Sequence, residues 1–198
     1  MKFHTSKEII ARIDRHLADP RLESEAQLRK RWAWIWMVVT FVGSLSSVAF
    51  FLFVLNYWEM FWFSGTMIAG FLVAFPLFRW SVRFDLVMNI LYSFFIIITF
   101  FAILQSGGLT TSMGFVFIGI NCAMGSVLAG NVRWTIGLFI LYCLTIILVG
   151  IFQPFLITPD YLTPAISTFM FVFLTLWINA CIFFLVVLFM KLISKEKS

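Results

Sequence analysis

Six stretches of this chain run apolar and uncharged for about twenty residues each, and that pattern restricts the fold more than any other feature. A helix needs about 20 mostly apolar residues to cross the hydrocarbon core of a bilayer. The stretches cover about residues 33–55, 60–78, 86–104, 113–130, 134–152 and 165–190. They are continuous, whereas the strands of a membrane barrel alternate at period two. The chain has 198 residues, 62% hydrophobic and 12% charged. A soluble domain is about 45–50% apolar and about 25% charged. No water-soluble fold of this size hides so much apolar surface, and disorder is excluded by the same numbers. A soluble enzyme, a nucleic-acid module and a disulfide-stapled secreted domain fall away. The expected fold is an all-α integral membrane protein with six transmembrane helices and short loops.

The basic residues orient it. Lys2, Lys7, Arg12, Arg15, Arg21, Arg29, Lys30 and Arg31 precede the first span, Arg79 and Arg83 lie between the second and third, and Arg133 lies between the fourth and fifth. Lys191, Lys195 and Lys197 follow the sixth, which completes all fourteen Lys and Arg. With six spans they fall on one side, and the opposite loops carry Glu59 and Asp160 without Lys or Arg. Both termini are therefore expected in the cytoplasm. The net charge of +5 reads as positive-inside bias plus attraction to membrane lipid, with no nucleic acid implied. Trp32, Trp34, Trp80 and Trp134 suit the inner interface, and Tyr57, Trp58 and Tyr161 the outer one.

Residues 1–31 form a separate cytoplasmic, basic segment. It holds no apolar run long enough for a signal peptide, so the first span is expected to act as an uncleaved insertion signal. Thr5 and Glu8 fit a capping box, and Ile9, Ile10, Ile13 and Leu17 recur at helical spacing. Asp19-Pro20 breaks that helix, and a second stretch, 21–31, runs into the first span. The segment is either a solvated basic flank or an interfacial helix on anionic lipid or a partner.

Catalytic chemistry is missing from the sequence. Cys122, Cys143 and Cys181 sit inside spans and read as apolar fillers. His4 and His16 are isolated, so no metal site, and no cofactor, is expected. No nucleotide-binding loop or nucleophile elbow is present. No Asp, Glu, Lys or Arg lies deep in a span, which argues against a pump or ion-coupled transporter.

Polar groups at mid-depth are the informative ones. Asn121, Tyr142, Trp177 and Asn179 lie near the middle of the fourth, fifth and sixth spans, and Thr40, Ser44 and Ser47 share a face of the first. Two readings stand: interhelical hydrogen bonds at about 0.6 kcal/mol each, or a polar-floored cavity for a small lipophilic ligand. In the second, Asn121, Tyr142, Trp177, Asn179, Ser44 and Ser47 are the binding candidates. Asn89 reads as a cap or a partner of the inner loops. Gly119, Ala123, Ser126 and Gly130 form a small-residue stripe for close helix packing, within the chain or across a dimer seam. Pro76 is expected to kink or end the second span. Residues 165–190 run 26 residues without a charge, about 39 Å against a core of about 30 Å. They must tilt or project into the cytoplasm, and they lead into KLISKEKS.

Three passages carry a resemblance: SGGLTTSMGFVFIGINCAMGSVLAG (106–130), NVRWTIGLFILYCLTIILVG (131–150), and TPDYLTP followed by the long last span and KLISKEKS. In architecture the chain resembles the N-terminal six-helix membrane domains of bacterial sensor histidine kinases and of class III adenylate cyclases. The resemblance implies a homodimeric sensory domain that passes a signal through its last helix to a cytoplasmic kinase or cyclase domain. Lys191 and Lys195 would then lie on the output helix, within 191–198. This chain lacks the phosphoacceptor histidine, nucleotide-binding motif and metal-binding aspartates of such output domains, so it is expected to be either the sensor part of a larger receptor or a stand-alone relative, and no enzyme in itself. The alternatives are a small transporter or channel, an intramembrane enzyme, or a membrane partner-binding or assembly protein.

Overall fold

The computed structural model describes residues 22, 24–49, 58–112, 114–129, 132–159, 163–169, 171–176, 178–180 and 183. Every secondary-structure element among these residues is helical. The helices are α1 (Ser24–Ala49), α2 (Trp58–Trp80), α3 (Phe84–Gln105), α4 (Val116–Gly125) and α5 (Val132–Phe152), followed by α6 (Pro164–Ala180). Short 3-10 turns occupy Leu109–Thr111, Ser126–Ala129 and Gln153–Phe155. Among the described residues, three helical stretches are long and apolar enough to cross a membrane: Trp62–Trp80, Phe84–Gln105 and Val132–Phe155. α3 is helical despite its β-branched run Ile96–Thr99. In lipid only a helix satisfies its own backbone within one segment, and that requirement overrides local propensity. The amphipathic segment at 1–20, Gly130, Trp177, Cys181, Lys191 and Lys195 lie outside the described residues.

The chain forms two compact units, one of Met1–Phe94 with Met124–Leu138, the other of Phe95–Ala123 with Phe139–Ser198. In the first unit α1 packs on α2 through aromatic rings. Trp34 meets Phe75 at 5.0 Å, and Phe41 meets Phe71 at 5.8 Å and Phe75 at 5.4 Å. Rings at seven-residue spacing on α1 thus face rings one turn apart on α2, which is the geometry of a helix–helix seam.

Lys30 is the unusual member of this core, with 1% of its surface exposed. Its Nζ donates to the carbonyls of Arg79, at 3.2 Å, and Ser81, at 3.1 Å. The last carbonyls of a helix have no partner within it, and an ammonium placed there also meets the negative end of the helix dipole. One side chain of α1 therefore seals the end of α2. This bears on Pro76, which does not end α2: the helix runs on to Trp80, and Ser81 N donates to Leu77 O at 3.0 Å. Pro76 removes a single backbone donor, and Lys30 holds the turn beyond it.

The fourth apolar stretch differs from its expected extent. Among the described residues of 113–130 the α-helical part is Val116–Gly125, and Ser126–Ala129 tightens into a 3-10 turn. Ten residues make about 15 Å, half the thickness of a bilayer core. Gly114, at φ +84°, sets the turn that precedes the helix, a conformation few other residues adopt. At the far end, a Cβ on Gly125 would lie 2.8 Å from the Tyr92 hydroxyl and 2.9 Å from Trp36 Nε1. The helix tightens where those two large side chains meet its backbone. Ser126 Oγ then pairs with Thr135 Oγ1 at 2.9 Å across the turn into α5.

In the second unit a neutral side chain plays the sealing part. Gln153 Oε1 accepts from Leu109 N at 2.7 Å, and its Nε2 donates to Gly107 O at 3.1 Å. Gly107 and Gly108 have φ of +90° and +100°, and a Cβ on Gly108 would collide with the Gln153 amide. The Gly pair of the 105–112 loop thus supplies both a left-handed backbone and room for the clasp.

Candidate functional site

Hydroxyls in the apolar helices mostly follow one rule. Thr40 donates to Trp36 O, Ser44 to Thr40 O, Thr66 to Trp62 O and Ser93 to Asn89 O, each four residues back. Such back-bonding removes a hydroxyl proton from the apolar medium at no cost in partners. The proton of Ser44 is therefore engaged with its own helix. The side chain of Ser47 lies outside the described residues.

Three oxygens of the second unit break the rule. Asn121 Oδ1 on α4, Thr99 Oγ1 on α3 and Thr175 Oγ1 on α6 are buried and have no hydrogen-bond partner. Asn121 is 7% exposed and Thr99 3% exposed. A buried polar group without a partner costs about 1–3 kcal/mol, and native structures hold few of them. Asn121 is flanked by buried Cys122 and Ala123, so its surroundings along the chain are apolar. A carbonyl oxygen left without a donor can accept a hydrogen bond from a ligand that carries one.

The remaining sequence candidates separate. Tyr142 is half-buried, and its ring lies over Gly119, where a Cβ would come within 2.5 Å of the Tyr142 ring. Gly119 thus serves contact between α4 and α5. Ala123 and Ser126 are buried, at 3% and 0% exposure. Asn179 is exposed on α6, next to the inward residues Leu174 and Ile178. α6 itself lies against the start of α4 and the turn before it: Phe171 meets Phe117 at 5.8 Å, and a Cβ on Gly114 would lie 3.3 Å from Leu174 Cβ. Ser44 belongs to the first unit, whereas Asn121, Tyr142 and Asn179 belong to the second. Asn89 Nδ2 donates to Asp85 O at 2.8 Å, inside the first turn of α3.

Sequence reasoning passed over Thr99, Thr175, Lys30 and Gln153. A signal for Thr99 existed: it is the one hydroxyl in FFIIITFF. Nothing local separates it from the back-bonded Thr40. Lys30 read as one basic residue among eight, and only its burial singles it out. Comparison with protein-family models, curated proteins and solved structures found no match to this chain.

Proposed function

We propose that the chain is the membrane-embedded sensory domain of a bacterial signal-transduction receptor, set in the cytoplasmic membrane as six spans with both termini inside. It takes a small lipophilic ligand and passes its presence through the last span to a cytoplasmic kinase or cyclase domain, the role its architectural resemblance implies. The observation that carries the reading is the buried, unpartnered carbonyl oxygen of Asn121 on a short apolar helix. Lys30 supports the orientation, because it joins the segment before the first span to the end of α2 and the loop after it, beside Arg79 and Arg83, as the distribution of basic residues requires. Exposed Asn179 supports a homodimer. A carboxamide facing lipid is costly, and the same Asn179 on a second copy gives it a partner.

The test uses two probes of equal chain length, 1-decanol and decane, on the protein in lipid nanodiscs. Decanol donates a hydrogen bond and decane does not. Decanol is expected to raise the melting temperature more than decane in the wild type, and Asn121→Leu to remove that difference. Asn121→Leu without ligand is expected to gain about 1 kcal/mol, since the orphaned oxygen is gone. Equal shifts from both probes, or an undiminished decanol effect in Asn121→Leu, would overturn the site.

A further inference from the structure

The hairpin of α2 and α3 carries a second feature, separate from Asn121 and lying wholly in the first unit. A groove of about 410 Å³ runs between the two helices. Thr66, Gly70, Ala74 and Leu77 line it from α2, and Val87 and Phe94 from α3. Thr66, Gly70 and Ala74 recur every four residues, so small side chains floor one face of α2. The wall is almost wholly apolar. The one hydroxyl in this set, that of Thr66, is spent on Trp62 O.

Length and charge identify the occupant. From Thr66 to Leu77 the groove follows α2 for about 16 Å, half of a hydrocarbon core about 30 Å thick. That is the depth of one leaflet. The groove ends at the 81–83 loop: Leu77 O accepts from Ser81 N at 3.0 Å, and Arg83 O accepts from Val87 N at 3.4 Å. Arg79 and Arg83 are exposed at that end, and Trp80 is 70% exposed beside them. The carbonyls of Arg79 and Ser81 are already taken by Lys30, so neither guanidinium is needed to cap α2. Asp85 is the one acidic residue in the first turn of α3.

The geometry points to an anionic phospholipid held on the α2–α3 hairpin, one acyl chain in the groove and its phosphate at the end of the hairpin that carries Arg79 and Arg83. Basic sites between membrane helices bind lipid headgroups in this way, and each basic residue adds about a fivefold preference for an anionic surface. An exposed Trp at headgroup depth completes the mouth.

The experiment is native mass spectrometry of the full chain released from nanodiscs of equal phosphatidylglycerol and phosphatidylcholine. The wild type is expected to retain one phosphatidylglycerol in preference to phosphatidylcholine. Arg79→Gln/Arg83→Gln is expected to lower that preference by about twenty-fivefold. Ala69→Phe, on an exposed position of the groove wall, tests the chain-binding part with both guanidiniums intact and is expected to abolish retention. Leu72→Phe, exposed and outside the groove, is the control and is expected to retain the lipid. Three outcomes would overturn the proposal: no preference between the two lipids in the wild type, an unchanged preference in the arginine double variant, or full retention by Ala69→Phe, which would mark a loose lipid annulus. A dimer lost in Ala69→Phe with lipid retention intact would assign the groove to a second copy instead. None of these outcomes bears on Asn121.

Discussion

Two connections in this molecule solve one problem with opposite chemistry. The loop after α2 is sealed by the ammonium of Lys30, a charge carried on α1. The loop after α3 is clasped by the neutral amide of Gln153, from the turn after α5. In both cases a long polar side chain reaches across to backbone groups that no helix can satisfy. The sign of the clamp follows the distribution of charge along the chain. The charged clamp closes the connection flanked by Arg79 and Arg83, and the neutral one closes the 105–112 loop, which has no Lys or Arg.

The contrast can be broken from the charged side first. Lys30→Met removes two charge-assisted hydrogen bonds and leaves two carbonyls without partners. It is expected to cost about 3 kcal/mol. Thermal unfolding in nanodiscs measures the loss, and hydrogen exchange should rise at 79–83 with 105–112 unchanged. A uniform rise in exchange would show that Lys30 supports the whole fold rather than one loop. Gly108→Ala comes next, at about 2 kcal/mol, because the new methyl meets both a φ of +100° and the Gln153 amide. Adding Gln153→Ala should recover part of that loss, and a strictly additive double variant would separate the glycine from the clasp. Gln153→Leu is the mildest, at about 1 kcal/mol for two neutral hydrogen bonds. If it proves as costly as Lys30→Met, charge is not what distinguishes the two clamps.

Much of the helical framework was legible in the residues. α2, α3 and α5 cover the apolar runs expected at 60–78, 86–104 and 134–152 with small shifts at their ends. Hydrophobic runs of that length leave a chain no other way to satisfy its backbone in lipid. The fourth run was misjudged in extent, because hydropathy cannot show that Trp36 and Tyr92 crowd Gly125 or that Gly114 turns the chain. Asn121 was legible as a buried amide in an apolar run. Its unpartnered oxygen was not, since partners come from other helices. The same limit hid Thr99 and Thr175, whose sequence context matches that of hydroxyls bonded to their own helix.

The sequence by itself determined that this chain is helical and apolar enough for a membrane, and it showed where the charges interrupt the apolar runs. Those properties are additive along the chain and depend on no neighbour in space. Only the tertiary structure decided which polar groups are satisfied. It gave Lys30 a structural role, tied Gln153 to the Gly107–Gly108 turn, spent the proton of Ser44 on its own helix, and left Asn121 Oδ1 without a partner. Hydrogen bonds and close contacts join residues distant in the chain, so their pairing is a property of the fold.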